Sequence, residues 1–216
     1  MIQRANLREH VGEELRKRIL DGRLDAGSSS REPRLAAELG VSRTPLREAL
    51  LSLEREGLLT SDVGRGFAVA PLTVREASEI YPILAELHGL ALQISGAPGD
   101  ATLEKLEQLN RDIEGSAGKP KRLFDLDRKW HALLVARCAN GELLALLDLY
   151  NTRCRRYDLA YWRECGDVIV SVAEHDAVLD ALANRSIAKA RKALTSHWLS
   201  CLPRMEAWLH EESDAE

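Results

Sequence analysis

Four residues in the second half of this chain are of types that bind metals or move protons, at spacings that let them meet: Asp127, His131, His175 and His197. Asp127 and His131 are four apart, so on a helix they lie one above the other on one face. His175 falls in the run Val168, Val172, His175, Leu179, Leu182. His197 falls in Ile187, Ala190, Leu194, His197, Cys201, and both runs have the three-and-four spacing of a helix face turned to a core. A buried polar group without a partner costs on the order of 1–3 kcal/mol. Two arrangements avoid that cost. Each histidine can find its own neighbour, such as Glu174 or a backbone carbonyl, or one divalent transition metal ion can take three imidazoles and a carboxylate together, with positions left for water or a ligand. Singly, each histidine favours the first arrangement, and the residues alone leave the set open. His10, His88 and His210 fit no such pattern and read as surface or incidental residues. The basic cluster Arg153, Arg155, Arg156 reads as a solvated helix face, and the tryptophans as core or interface residues.

A second group with chemistry to offer lies near the N-terminus. Leu35 to Leu39 reads as a short helix and Gly40 as a turn. A helix comes next in which Leu46, Ala49, Leu50 and Leu53 share one side, leaving Arg43, Thr44 and Arg47 on the other. Ser42 is a good N-cap, and Pro45 falls in the first turn, where its missing N–H removes no helical bond. Such a helix can place its N-terminal end in a DNA major groove. The same pattern also describes a packed helical hairpin with solvated arginines, and locally the two readings stand even. The next segment of the chain favours DNA. Leu58 to Thr60, a turn through Gly64-Arg65-Gly66, and Phe67 to Ala70 read as strand, turn and strand, a wing whose glycines let backbone and the Arg65 guanidinium approach phosphates or the minor groove.

The elements that position these groups divide in two. A first helix over 6–21 carries Leu7, Val11, Leu15 and Ile19 at four-residue spacing. Thr73 and Glu76 have the form of a capping box, so a new helix starts there and the boundary falls between Leu72 and Thr73. Beyond it the periodicity predicts helices over 74–95 (kinked or split at Pro82), 101–114, 121–139, 142–163, 167–184 and 187–211, an antiparallel bundle. The fold class is therefore mainly α: residues 1–72 a winged helix-turn-helix, residues 73–216 an all-helical bundle. Residues 1–72 carry 12 lysines and arginines against 11 aspartates and glutamates, while 73–216 carry 18 against 23. Any DNA contact must come from a local patch in the first part. With no run of about 18 apolar residues and no signal-peptide core at the N-terminus, the expected location is cytoplasmic, with no membrane partner. Four scattered cysteines, with no Cys-x-x-Cys pair, read as ordinary thiols.

The stretch Val41 to Leu50, then Leu53-Glu54-Arg55-Glu56-Gly57-Leu58 and Gly64-Arg65-Gly66, resembles the GntR family of bacterial transcription regulators. The second half is similar to the FCD effector domain of its FadR subfamily, through Asp127 to His131, Glu174-His175 and Ser196-His197-Trp198. The resemblance implies a homodimer that reads a palindromic operator in double-stranded DNA with Arg43, Thr44 and Arg47 and with Arg65 and Gly66 of the wing. It also implies one metal ion per chain on Asp127, His131, His175 and His197, zinc first with nickel, manganese and iron admitted, and a small organic acid as effector. The chain departs from the family in two places. A Pro-Gly turn is replaced by Ala26-Gly27 and a serine run, with Pro33 where an arginine is frequent. Leu84 stands about where many members carry an arginine for the ligand's acidic group, and His88 where a glutamate is frequent, so either another cation, Arg153 or Arg156, reaches the pocket or the metal alone holds the ligand. Two other readings remain: a hydrolytic metal centre that activates water and would need a general base, for which Glu174 beside His175 points about 100° away on an ideal helix, and a bundle that only dimerises.

Overall fold

In the first 72 residues the apolar spacing of the sequence becomes a single small core. The structure, a computed structural model, describes residues 2–28, 32–62, 66–164 and 168–215, with side chains for all of these except 2–6, 62, 163–164, 168–169 and 212–215. It divides into two compact units, Met1–Leu72 and Thr73–Glu216.

The first unit runs α1 (Ile2–Leu20), α2 (Glu32–Leu39), α3 (Arg43–Arg55), β1 (Leu59–Asp62) and β2 (Gly66–Val69). Val11, Leu15 and Ile19 of α1 meet Leu35 of α2, Leu46, Leu50 and Leu53 of α3, and Phe67 and Val69 of β2 in one core. Leu7, first of the four-spaced series, lies outside it at 39% exposure. The turn between α2 and α3 depends on Gly40, whose φ of 65° is strained for any residue with a Cβ. That left-handed step lets Val41 N–H reach back to the Ala36 carbonyl at 3.0 Å and close the helix end. Ser42 takes the N-cap position of α3, but its hydroxyl makes no capping bond, contrary to what its residue type implies. Arg16 grips Glu56 with two nitrogens at 2.9 and 2.8 Å, tying α1 to the end of α3. The strands pair antiparallel with Leu59 opposite Val69 and Asp62 opposite Gly66.

The second unit consists of α4 (Val74–Ser95), α5 (Asp100–Glu114), α6 (Pro120–Leu134), α7 (Gly141–Glu164), α8 (Val168–Ala183) and α9 (Ile187–Ala215). Helix α4 packs on α9 and α7, α8 on α9 and α5, and α6 between α5 and α7. Helix α4 continues through Pro82 and is not split there, because Ile80, Tyr81, Leu84 and Ala85 on either side are all buried and hold it to the bundle. Helix α6 stops five residues earlier than its periodicity implies, and the Val135 carbonyl there accepts from the Ser95 hydroxyl at 3.3 Å. At Gly89 the α4 backbone approaches α9 so closely that a Cβ would sit 2.9 Å from Thr195 Oγ1.

The capping box at the start of α4 is only half formed. Thr73 Oγ1 accepts from the Glu76 N–H at 3.1 Å, but the Glu76 carboxylate turns away. It accepts from Arg153 at 2.8 Å, from Arg156 at 2.8 Å and from the Tyr157 hydroxyl at 2.7 Å. The Thr73 N–H is taken instead by Tyr157 Oη at 3.1 Å. Burial alone would raise the Glu76 pKa, but Arg156, Arg153 and Tyr157 outweigh it and hold the carboxyl below its usual range. A carboxyl with a depressed folded-state pKa contributes stability that is complete above its unfolded pKa of about 4.3 and is lost as the pH falls through the folded value. Glu76→Gln, which leaves the buried Arg156 short of a counter-charge, is expected to cost roughly 2–3 kcal/mol at neutral pH. Melting wild type and variant side by side from pH 7 to pH 3 should show the gap in Tm closing as the pH drops below about 4. A gap that stays constant would mean the carboxylate charge contributes nothing.

Candidate metal site and DNA-reading face

Three helices of the bundle send polar side chains to one point in an otherwise apolar interior. Helix α6 supplies Asp127 and His131, α8 supplies His175, and α9 supplies His197. One nitrogen from each of the three histidines lies within 4.8 Å of the other two. That is little more than the ~4.2 Å that separates opposite ligands each about 2.1 Å from one ion. His131 Nε2 and His197 Nε2 face each other at 3.3 Å. The Asp127 carboxylate lies 3.7 Å from His131 Nε2 and 3.6 Å from His175 Nε2, too far for hydrogen bonds. His175 Nε2 and Asp127 Oδ1 are both buried with no hydrogen-bond partner among the described residues.

The outward nitrogens are held from behind. His175 Nδ1 lies 3.0 Å from Asn110 Oδ1 on α5, and Asn110 in turn donates to Asp176 Oδ1 at 2.7 Å and to the Val172 carbonyl at 3.1 Å. With Asn110 Nδ2 so occupied, its Oδ1 can only accept, and His175 must carry its proton on Nδ1. Its Nε2 lone pair then faces the common point. His197 Nδ1 lies 2.8 Å from Glu174 Oε2, which sets the same tautomer. Trp130 stacks on the His175 ring at 3.9 Å between centroids, and Trp198 stacks on His88 at 4.9 Å. Burial, reinforced by the neighbouring imidazoles, pushes the pKa of His131 and His175 well below the usual histidine range, so both present lone pairs. Burial pushes the Asp127 carboxyl well above its usual range. Neutral imidazoles, a carboxyl whose ionised form a nearby cation would stabilise, and outer hydrogen bonds that fix the rings are the donor set a divalent ion requires, and the residues fit one.

Several residues depart from the expectations set by sequence. His88, read as surface or incidental, is 1% exposed, packs against His131 and Trp198, and reaches Asn151 Oδ1 with Nε2 at 3.2 Å. Trp130, Trp198 and Trp208 are core residues, and Trp130 and Trp198 serve there as platforms for imidazole rings. Glu174 is committed to His197 and so is not the base a hydrolytic centre needs. The basic cluster is no solvated face: Arg153 and Arg156 are held by Glu76, while Arg155 lines a cavity that also contains Asp127 and His131. Leu84 is wholly buried. Asn110 has a sequence signal of its own, a polar residue between Leu106 and Ile113 on the buried stripe of α5.

In the first unit, Arg43, Thr44 and Arg47 stand exposed on α3, opposite the buried Leu46, Ala49, Leu50 and Leu53. Arg16, Arg18 and Arg34 are engaged by Glu56, Glu14 and Glu38, but neither Arg43 nor Arg47 has a hydrogen bond or ion pair among the described residues. Gly66 is exposed at the start of β2 with a φ of 83°. Arg65 lies outside the described residues.

Two family models match the chain: bacterial regulatory proteins of the gntR family over residues 7–69, and the FCD domain over residues 79–200. The Nta operon transcriptional regulator of Aminobacter aminovorans is 33% identical over 164 residues, covering 74% of this chain and 75% of that protein. The HTH-type transcriptional regulator YdhC of Bacillus subtilis is 29% identical over 190 residues, 86% of this chain and 84% of that protein. The solved structure of Escherichia coli McbR/YncC superposes with a TM-score of 0.77 over 94% of this chain and 98% of that one, and at 20% identity it shows a shared fold.

Asn110→Leu removes the acceptor that fixes the His175 tautomer while leaving all four inner side chains in place. Affinity for a divalent ion, measured by competition with a chelator, is expected to fall about 10- to 100-fold with helical content unchanged. Unchanged affinity would show that His175 needs no such support.

Proposed function

The chain belongs to the GntR family of bacterial transcription regulators with an FCD effector domain, and from that premise we propose that its DNA binding is tuned by a small organic acid sensed at a metal in the bundle. The observation that carries the reading is the convergence of three imidazole nitrogens and the Asp127 carboxylate, two of them without partners among the described residues, in an apolar core. The proposed ligands are Asp127, His131, His175 and His197, holding one divalent transition metal ion per chain. Zinc suits the donors best, and nickel, manganese and iron are admitted by the same set. When bound, the ion supplies open positions to an anionic group. The chain itself orients the rings through Asn110 and Glu174 and keeps water out with Trp130 and Trp198. An effector that prefers one arrangement of the helices shifts the population of DNA-binding states by its difference in affinity for them.

On the DNA side, Arg43, Thr44 and Arg47 are the proposed base and phosphate contacts, with Gly66 and Arg65 in the wing. One recognition helix spans only a few base pairs, so a two-fold dimer on a palindromic operator is the natural arrangement. Helix α4 supports a homodimer: Ile83, Leu90 and Ile94 are 42%, 40% and 43% exposed and lie along one face of that helix.

Two experiments test this. Metal analysis of purified protein should find about one ion per chain in the wild type and none in His175→Ala or His197→Ala; wild type that resists loading would remove the metal from the reading. With an operator selected from randomised duplexes, Arg47→Ala should weaken binding by about 1–3 kcal/mol, roughly tenfold or more, while metal content and dimerisation persist. Equal affinity would remove Arg47 from the interface.

A further inference from the structure

The solvent face of α3 holds one side chain that neither charge nor burial explains. Leu51 is 43% exposed, although Leu46, Ala49, Leu50 and Leu53 of the same helix are buried. At about 100° per residue, the direction opposite those four passes within about 10° of Thr44 and about 30° of Glu48 and Leu51, with Arg47 about 70° and Arg43 about 110° to one side. Leu51 therefore points away from the core nearly as squarely as Thr44 does, two turns further along, and the two arginines flank it. The free face ends there. Arg55, one turn on, folds its guanidinium back so that Nε donates to the Leu51 carbonyl at 3.2 Å. Thr44, Arg47, Glu48 and Leu51, all exposed, stand at i, i+3, i+4 and i+7, a spacing over which a helix laid in a major groove reaches base edges.

We infer that Leu51 reads the 5-methyl group of a thymine in the operator. This rests on the DNA face and the palindrome proposed above, and adds to them a residue that determines specificity. The chemistry leaves one partner. Phosphate oxygens offer an aliphatic side chain nothing, and the base edges in a major groove present hydrogen-bond donors and acceptors except at thymine, which also presents its C5-methyl. A leucine set over a base amino or carbonyl group would cover it without satisfying it. Set against the methyl, both groups lose apolar surface to water. Glu48 beside it narrows the setting further: a carboxylate is repelled by phosphates, so this part of the face suits the groove floor and not the backbone. Positive charge for the backbone comes from Arg43 and Arg47 on the flank, and Leu51 supplies discrimination without charge.

The test uses full-length protein and an operator selected from randomised duplexes. Each thymine of the half-site, together with its mate across the palindrome, is replaced in turn by deoxyuracil, which lacks only the methyl. At one such pair wild-type affinity should fall about fourfold per half-site, the effect of one buried methyl, and so about 15-fold for the two. Leu51→Ala, at an exposed position where alanine favours the helix, should bind the thymine operator less tightly and no longer distinguish thymine from uracil at that pair. Arg47→Ala should lose affinity for both forms and keep their ratio. An operator in which no thymine methyl matters, or a thymine preference that Leu51→Ala retains in full, would overturn the inference. The two readings fail separately. A chain that selects no operator removes both, whereas an operator that depends on Arg47 and ignores the Leu51→Ala change removes Leu51 alone.

Discussion

A carboxylate and three imidazoles in an apolar interior have too few partners among themselves, and that shortage governs the bundle. His175 Nε2 and Asp127 Oδ1 are sealed from water without a hydrogen bond among the described residues, and His131 Nε2 faces His197 Nε2, so two acceptors or one shared proton meet where a cation would satisfy everything at once. Helix α5 contributes no inner side chain, yet its Asn110 decides which nitrogen of His175 bears the proton. Helix α4 contributes His88 and Gly89: the ring fills the space beside His131 and Trp198, and the absent side chain lets α9 come close enough to bring His197 in. Much of the packing is thus arranged around a point that the protein alone leaves unsatisfied.

The two units manage charge in opposite ways. In the first, Arg16 and Arg18 of α1 and Arg34 of α2 are paired within the unit, while Arg43 and Arg47 are left without an internal partner among the described residues, on a face whose reverse side is buried. Positive charge held out to solvent on a rigid helix is what a polyanion reads. In the second unit cations are drawn inward, with Arg156 almost wholly buried against Glu76 and Arg155 laid over Phe124. There, guanidinium groups fix helices or face a cavity, and the unit as a whole is acidic.

Much of this was legible in the sequence because both recognition elements are local. Leu46, Ala49, Leu50 and Leu53 define a buried face within one helix, so Arg43, Thr44 and Arg47 had to lie opposite. Asp127 and His131 share a helix turn, and His175 and His197 each interrupt an apolar stripe. What periodicity cannot give is which stripe meets which. Asn110 and His88 also interrupt apolar stripes, 65 and 43 residues from the histidines they touch, and nothing local distinguishes them from tolerated core polar residues. Arg155 sits between Arg153 and Arg156 in the chain, yet only the position of Glu76 on a distant helix reveals which two of them that carboxylate binds. Pro82 shows the converse: a local breaker did not split the helix where residues on both sides of it are buried.

One turn of α7 does two things at once. Arg155 and Asp158 face the cavity from it, and Tyr157, between them in the chain, accepts from the N–H of Thr73, the residue at which the chain enters the bundle, while donating to Glu76. A helix turn is nearly rigid, so these side chains cannot move independently. The same turn is anchored again at Glu76, whose carboxylate takes Arg153 and Arg156, so the start of α4 is pinned to α7 at two neighbouring residues.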